Sequence, residues 1–159
     1  MRIALSVEYD GSAYCGWQVQ LHSPSVQAVL EKALSSIADE PIRVIAAGRT
    51  DTGVHALGQV VHFDTSRDRP QRAWLRGVNT RLPGDVLILV GHAVADDFHA
   101  RFSAISRHYR YLILNRPQAP AVGQHDRERE GLRALRGGSF ERRVAPAGHE
   151  RVVGRVGDR

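Results

Sequence analysis

The segment Gly48–Ala56, with the sequence GRTDTGVHA, places the carboxylate of Asp51 two positions after the guanidinium of Arg49 in a loop bounded by glycines. Apolar residues precede and follow the segment, so the loop is expected to join two rigid strands and to hold Asp51 at a fixed tip. A carboxylate presented in this way is suited to catalysis. An aspartate between threonines in such a loop is more often an Asx turn or a cap, and both interpretations stay open at this point.

A second stretch with potential chemistry runs from Phe98 to Gly123 and contains no acidic residue. Basic and aromatic side chains are interleaved in it, among them Arg101, Phe102, Arg107, Tyr109, Arg110, Tyr111 and Arg116. Arginine binds phosphate and aromatic rings stack on bases, so this pattern favours contact with nucleic acid. A solvated basic face of a strand is the alternative.

The charge balance of the whole chain gives weaker support for a nucleic-acid partner. The 159 residues have a formal net charge of +5, but residues 124–159 hold nine of the basic and six of the acidic side chains. Residues 1–123 therefore have 13 basic and 11 acidic side chains, a net charge of +2. Most of the positive excess lies in the C-terminal segment, away from the candidate loop.

Membrane proteins and metalloproteins are not indicated. No apolar run approaches the ~18 residues of a transmembrane helix, and the N-terminus has no signal-peptide core, so a cytoplasmic protein without membrane association is expected. The single Cys15 permits neither an internal disulfide nor a cysteine metal site. The spacings of four histidines match no compact ligand set, so no metal is expected at His55, His62, His99 and His108.

Hydrophobic periodicity predicts the elements that must position these residues. Apolar and polar side chains alternate from Ile3 to Tyr9, which indicates a strand. An apolar stripe from about Val26 to Ile37, with Ser25 as N-cap, indicates a helix. Further strands are predicted near 42–47, 58–64, 86–94 and 107–115, and a second helix at about 71–82.

The order β-α-β-β-α-β with one further strand predicts an α+β fold of the ferredoxin-like or RNA-recognition-like type. Such a fold has an antiparallel sheet with its helices on one face. The opposite face is expected to stay free, and that face is where folds of this type place bases and phosphates.

Ordered blocks between residues 2 and 116 carry a resemblance to a known family. The blocks are EYDG at 8–11, YCGWQVQ at 14–20, SVQ at 25–27, AGRTDTGVHA at 47–56, QVVHF at 59–63, LPGD at 82–85, DFHARFSA at 97–104 and RHYRY at 107–111. With these blocks the chain resembles the TruA family of tRNA pseudouridine synthases. The resemblance implies an RNA-modifying isomerase that converts uridine to pseudouridine in the anticodon stem-loop of tRNA, without cofactor or metal.

The same resemblance implies roles for individual residues. Asp51 corresponds to the catalytic carboxylate, which acts as a nucleophile or as a base at the ribose. Arg49 would hold the flipped nucleotide or pair with Asp51, and Tyr109 would stack on the target uracil. Arg107 and Arg110 are the further candidates for binding the substrate. tRNA is the implied partner, and a homodimer is implied by the family.

The character of the sequence changes after residue 116. Residues 1–116 are expected to form the pseudouridine synthase N-terminal domain with the catalytic loop, whereas 117–159 show no block of the family and are expected to be disordered. Because family members continue into a second α/β half, this change indicates a truncated or frameshifted reading frame, with a divergent tail as the alternative. The alternative function is then a non-catalytic remnant that binds RNA weakly.

Residues 124–159 contain too few apolar side chains to offset ordering costs of about 1 to 2 kcal/mol per residue. We therefore expect rapid amide exchange throughout this segment, measured by hydrogen exchange with residues 2–64 as the protected reference. Slow exchange across 130–159 would contradict the prediction.

Overall fold

The computed structural model describes residues 1–110 and the two strands Glu141–Val144 and Glu150–Val153. Its elements in chain order are β1 (Arg2–Tyr9), a 3-10 turn (Gly11–Ala13), α1 (Val26–Ala38), β2 (Ile45–Ala46), β3 (Ala56–Asp64), α2 (71–79), β4 (Val86–Val94), β5 (Glu141–Val144) and β6 (Glu150–Val153).

Strands β1 to β4 form one antiparallel sheet in the order β2-β3-β1-β4. Because α1 lies between β1 and β2, and α2 between β3 and β4, this is the strand order of a ferredoxin-like unit, with β3 inserted between β1 and β2. The predicted α+β class with an antiparallel sheet is confirmed. β5 and β6 pair with each other in a separate two-stranded sheet.

One face of the sheet and the two helices enclose the hydrophobic core. Alternate residues of β1, from Ile3 to Tyr9, are buried on this face, as the alternation in the sequence predicts. They pack with Leu30 and Leu34 of α1 and with Trp74 of α2 in one cluster. The prediction of helices on a single sheet face is therefore confirmed.

Helix α1 begins where its sequence provides a cap. The hydroxyl of Ser25 accepts a hydrogen bond from the backbone N–H of Ala28 at 3.3 Å, which confirms the predicted N-cap. The helix ends at Asp39, which has the left-handed backbone conformation common at helix C-termini.

Strand β2 is much shorter than the predicted 42–47. The backbone N–H of Ile42 donates to the hydroxyl of Ser35 at 2.9 Å, and that of Val44 donates to Oε1 of Glu31 at 3.0 Å. Side chains of α1 thus satisfy backbone groups that a longer strand would have paired with β3. In the described part of the chain, β2 has strand geometry at Ile45–Ala46 alone, where it pairs with His62 and Val61 of β3.

Helix α2 also differs from its prediction of 71–82. Its central part, Ala73–Gly77, is a π-helix, and the N–H of Val78 donates back to the carbonyl of Ala73. Helical geometry ends at residue 79, although the N–H of Leu82 still donates to the carbonyl of Val78 at 3.2 Å. Within this wider turn and directly after it, Trp74 and Val78 are buried in the core.

The sheet face opposite the helices is not entirely free, contrary to the expectation. The segment that follows β4 covers part of it: the N–H of Ala100 donates to Nδ1 of the buried His62 at 3.1 Å. Arg2 holds the start of this segment through the carbonyl of Phe98 at 2.9 Å, while it pairs with Asp64 at 2.8 Å.

Several predictions fall partly on residues that the structure does not describe. Of the strand expected at 107–115, residues 107–110 have no strand geometry, and 111–115 lie outside the described residues. Within 117–159, β5 and β6 are described, and the expectation of disorder for the remainder lies outside the described residues. None of the helices in the described part of the chain has the length and apolarity needed to cross a bilayer.

Leu34→Ala should lower the free energy of unfolding by about 2 to 5 kcal/mol, because the Leu34 side chain is 0% exposed and its loss leaves a cavity. The measurement is chemical denaturation of the chain. The control is Leu21→Ala at a side chain that is 90% exposed, where a change within about 0.5 kcal/mol is expected. Similar losses in both variants would contradict the description of the core.

Candidate active site

The candidate loop leaves β2 and enters β3, and its first residues are held by the sheet. The N–H of Ala47 donates to the carbonyl of Val60 at 2.8 Å, which continues the β2–β3 pairing. The buried side-chain amide of Gln59 donates to the carbonyl of Gly48 at 2.6 Å. The beginning of the loop therefore has the rigidity of the sheet.

A second loop, residues 10–17, holds the middle of the candidate loop. The N–H of Trp17 donates to the carbonyl of Thr50 at 2.9 Å, and the N–H of Gly53 donates to the carbonyl of Tyr14 at 3.3 Å. The hydroxyl of Tyr9, at the end of β1, lies 2.8 Å from Oγ1 of Thr50. Thr50, immediately before Asp51, is thus bonded through both its backbone and its side chain.

Two glycines allow the loops to approach this closely. Gly16 has a positive φ of 93°, and a β-carbon at this position would lie 2.8 Å from the carbonyl oxygen of Thr50. A β-carbon at Gly11 would lie 2.0 Å from the carbonyl oxygen of Val54. Neither position has room for a side chain, so these glycines allow the backbone-to-backbone contact.

Asp51 is exposed, as the sequence analysis expects of a residue at a loop tip. A turn closes directly behind it, where the N–H of Val54 donates to the Asp51 carbonyl at 3.2 Å. Arg49 is exposed as well, and within the described residues the structure contains no ion pair between Arg49 and Asp51. The carboxylate is therefore open to a substrate while its backbone is fixed.

The segment after β4 brings further predicted residues to this loop. Arg107 donates through Nε to the carbonyl of Ala47 at 2.9 Å and through a terminal nitrogen to the carbonyl of Arg101 at 3.2 Å. The hydroxyl of Tyr109 lies 3.6 Å from the position that a β-carbon on Gly48 would occupy. Arg107 thus bridges the candidate loop and the segment after β4.

A cavity of about 540 Å³ lies between these elements. Arg49, Arg101, Arg107 and Tyr109 are among the residues that line it. Asp51 does not line this cavity, but it lies two positions from Arg49 on the fixed loop. The structure therefore brings together three of the predicted substrate-binding residues at the cavity.

Two residues differ from the predicted set of substrate-binding side chains. Arg110 is exposed and does not line the cavity. Arg101 lines it without having been predicted as a site residue. Its place in the interleaved arginines and aromatics after Phe98 was the signal that could have identified it.

The tyrosines that support the loop are held in the neutral form. Burial raises the pKa of Tyr9, whose hydroxyl bonds to Thr50. Burial, followed by the neighbouring carboxylate of Asp85, raises the pKa of Tyr14, which donates to Oδ1 of Asp85 at 2.7 Å. Neutral hydroxyls can keep donating hydrogen bonds through the physiological pH range.

The buried histidines have contacts that belong to the scaffold. Nδ1 of His55 lies 3.0 Å from Oδ1 of Asp10 and 3.1 Å from the backbone nitrogen of Gly11. Burial lowers the pKa of His62, which favours the neutral ring that accepts from Ala100. Among the described residues, no group of three or more His, Cys, Asp and Glu side chains is arranged to hold a metal ion.

Comparison with known sequences identifies the family. The model of a tRNA pseudouridine synthase family matches residues 5–103, which include the loop of Asp51. The chain belongs to this family. The family predicted from the sequence blocks is confirmed, and the loop of Asp51 with its supporting contacts lies within the matched region.

Curated relatives show the same likeness. The chain is 58% identical over 120 residues to a tRNA pseudouridine synthase A of Hydrogenovibrio crunogenus, covering 76% of the chain and 46% of the relative. It is 60% identical over 122 residues to the tRNA pseudouridine synthase A of Photobacterium profundum, covering 77% and 47%. The chain thus spans about half the length of these relatives.

Gly16→Ala should destabilise the chain by at least about 1 to 2 kcal/mol, because alanine is strained at positive φ and its β-carbon would displace Thr50. Chemical denaturation measures the loss, and amide chemical shifts of residues 49–53 report movement of the loop. The matched control is Gly84→Ala, where no atom lies within 4 Å of the added carbon and a change within about 1 kcal/mol is expected. Equal effects at both glycines would contradict the proposed contact.

Proposed function

We propose that this chain provides the catalytic loop of a tRNA pseudouridine synthase, which converts uridine to pseudouridine in the anticodon stem-loop. The observation that carries the proposal is the exposed Asp51 on a fixed loop beside a cavity lined by arginines and Tyr109. Family membership and relatives named tRNA pseudouridine synthase A support it.

The reaction needs little besides a carboxylate and a pocket for the detached base. The bond between C1′ of the ribose and N1 of uracil breaks, the ring turns, and a bond forms between C1′ and C5. C5 then loses its proton and N1 takes one up, so the product is an isomer of the substrate. Asp51 acts either as a nucleophile at the ribose or as a base there. Because substrate and product have the same atoms and oxidation state, the proposed reaction consumes no co-reactant, and the proposal includes no cofactor or metal.

The surrounding side chains divide the work of binding. Arg49 and Arg101 line the cavity next to the loop, where they would contact phosphates of the flipped nucleotide. Tyr109 would stack on the target uracil. Arg107 already donates to two backbone carbonyls, so its main contribution is to hold the loop, while the exposed Arg110 would add a phosphate contact.

The partners and organisation follow from the same proposal. The substrate is tRNA, the site of action is the cytoplasm, and the active assembly is a homodimer. Residues 1–116 act as the N-terminal domain of the enzyme. The absence of acidic side chains from Phe98 to Arg110 favours an anionic partner at this surface.

Asp51→Ala should abolish pseudouridine formation and leave tRNA affinity largely unchanged, because one carboxylate adds little to binding dominated by phosphate contacts. The assay replaces the corresponding part of the Photobacterium profundum relative with residues 1–116 and measures the release of tritium from C5 of tRNA uridines. Asp68→Ala, at an exposed carboxylate on another loop, is the control and should keep full turnover.

The outcomes separate the two candidate functions. Undiminished turnover after Asp51→Ala would refute the catalytic assignment. For the 159-residue chain tested alone, we expect weak, salt-sensitive RNA binding with little turnover. If the grafted protein also binds tRNA without any turnover, the non-catalytic alternative replaces the proposal.

A further inference from the structure

The side chain of Phe102 is unusually exposed for an aromatic residue. It is 79% accessible and lies in the segment after β4, directly after the cavity-lining Arg101. One side of its ring is already occupied: the ring of His99 stacks on it with a centroid distance of 4.3 Å and an interplanar angle of 27°. Most of the remaining ring surface is exposed to solvent.

The turn that carries Phe102 is closed by its own hydrogen bonds. Nδ1 of His99 accepts from the backbone N–H groups of Arg101 and Phe102, both at 3.2 Å. The N–H of Ser103 donates to the carbonyl of His99 at 2.7 Å, and the Ser103 hydroxyl accepts from the N–H of His99 at 3.0 Å. These bonds fix the backbone on both sides of the exposed ring.

The stack is anchored in the sheet. His99 packs edge-on against His62 with a centroid distance of 4.8 Å, and His62 is a 1% exposed residue of β3. A continuous row of rings therefore runs from the sheet through His99 to the surface at Phe102. An exposed ring supported in this way is ordered before any ligand arrives, which lowers the entropic cost of binding to it.

The surroundings of the ring favour an anionic, aromatic ligand. The guanidinium of Arg101 lies 6.0 Å from the centroid of the Phe102 ring. Residues 98–110 contain no acidic side chain, and Arg107 and Arg110 follow in the same segment. An aromatic face beside arginines matches a nucleotide, whose base stacks while its phosphate contacts a cation.

We propose that the solvent-facing side of Phe102 is a stacking platform for an unpaired RNA base beside the nucleotide that Asp51 acts on, with His99 as its positioning residue. This inference rests on the proposed function and extends it to a second base of the stem-loop. It requires binding alone and no turnover.

The test measures the affinity of the 159-residue chain for an RNA stem-loop that carries 2-aminopurine in its loop. Phe102→Ala should weaken binding about 5- to 100-fold and remove the fluorescence quenching of the stacked base. Phe102→Leu should reduce the affinity as much as Phe102→Ala does, because leucine has no ring face on which a base can stack. It keeps an apolar side chain, so it separates stacking from general apolar contact. Phe102→Trp should retain both affinity and quenching.

Leu21→Ala, at a side chain that is 90% exposed on another loop, is the matched control and should bind like the unmodified chain. The salt dependence should keep its slope in Phe102→Ala, since no phosphate contact is lost, whereas Arg101→Ala should reduce the slope. His99→Ala should weaken RNA binding and reduce the quenching of 2-aminopurine together. A destabilised region elsewhere in the chain would not reduce the quenching of the bound base.

Three results would overturn the platform. The first is unchanged RNA affinity in Phe102→Ala, and the second is full RNA affinity in Phe102→Leu. The third is self-association of the chain, measured by sedimentation, that Phe102→Ala removes without affecting RNA binding; this result would assign the ring to contact with a second copy of the chain. Asp51→Ala should bind and quench normally. A grafted protein without turnover would refute the proposed function but leave the stacking measurement, made on the 159-residue chain, interpretable.

Discussion

The contact between the backbones of two loops is the constraint on which the candidate site depends. An exposed carboxylate gains no packing from its own side chain, so the backbone beneath Asp51 has to fix its position. Gly16 supplies that support because it lies directly against Thr50, and the adjacent Trp17 donates to the same carbonyl. Trp17 is itself buried against Tyr9, with ring centroids 5.8 Å apart. The hydrophobic core is thereby connected to the candidate loop through a single layer of contacts.

The two faces of the sheet make different kinds of contact. The face beneath the helices is packed with aliphatic and aromatic side chains and provides the stability of the unit. The other face receives the segment after β4, which attaches through polar contacts of Arg2 and His62. Polar attachment fixes geometry without demanding a large apolar area, so arginines and an exposed ring can remain in this segment at the surface. The candidate binding residues and the residues that stabilise the fold are therefore largely distinct, which is typical of sites built on a rigid scaffold.

The sequence predicts the elements that depend on neighbouring residues better than those that depend on tertiary contacts. β1 and α1 follow from alternation and from the Ser25 cap, both of which involve neighbouring residues. The shortening of β2 could not be foreseen, because it results from Glu31 and Ser35 of α1 bonding to backbone groups that are distant in the sequence. At the site, the blocks that resemble the family identified Asp51 as the candidate carboxylate. The hydrogen bonds of Arg107 to two carbonyls depend on tertiary structure, and no sequence motif predicts them.

Those two bonds also make the candidate site a mechanically linked unit. The guanidinium of Arg107 donates to the carbonyl of Ala47, directly before the loop of Asp51, and to the carbonyl of Arg101, in the turn that carries Phe102. Because the same guanidinium is bonded to both segments, a displacement of the turn would strain the bond that holds the start of the loop. The planar head of Arg107 therefore sets the position of the candidate carboxylate's loop relative to the segment after β4.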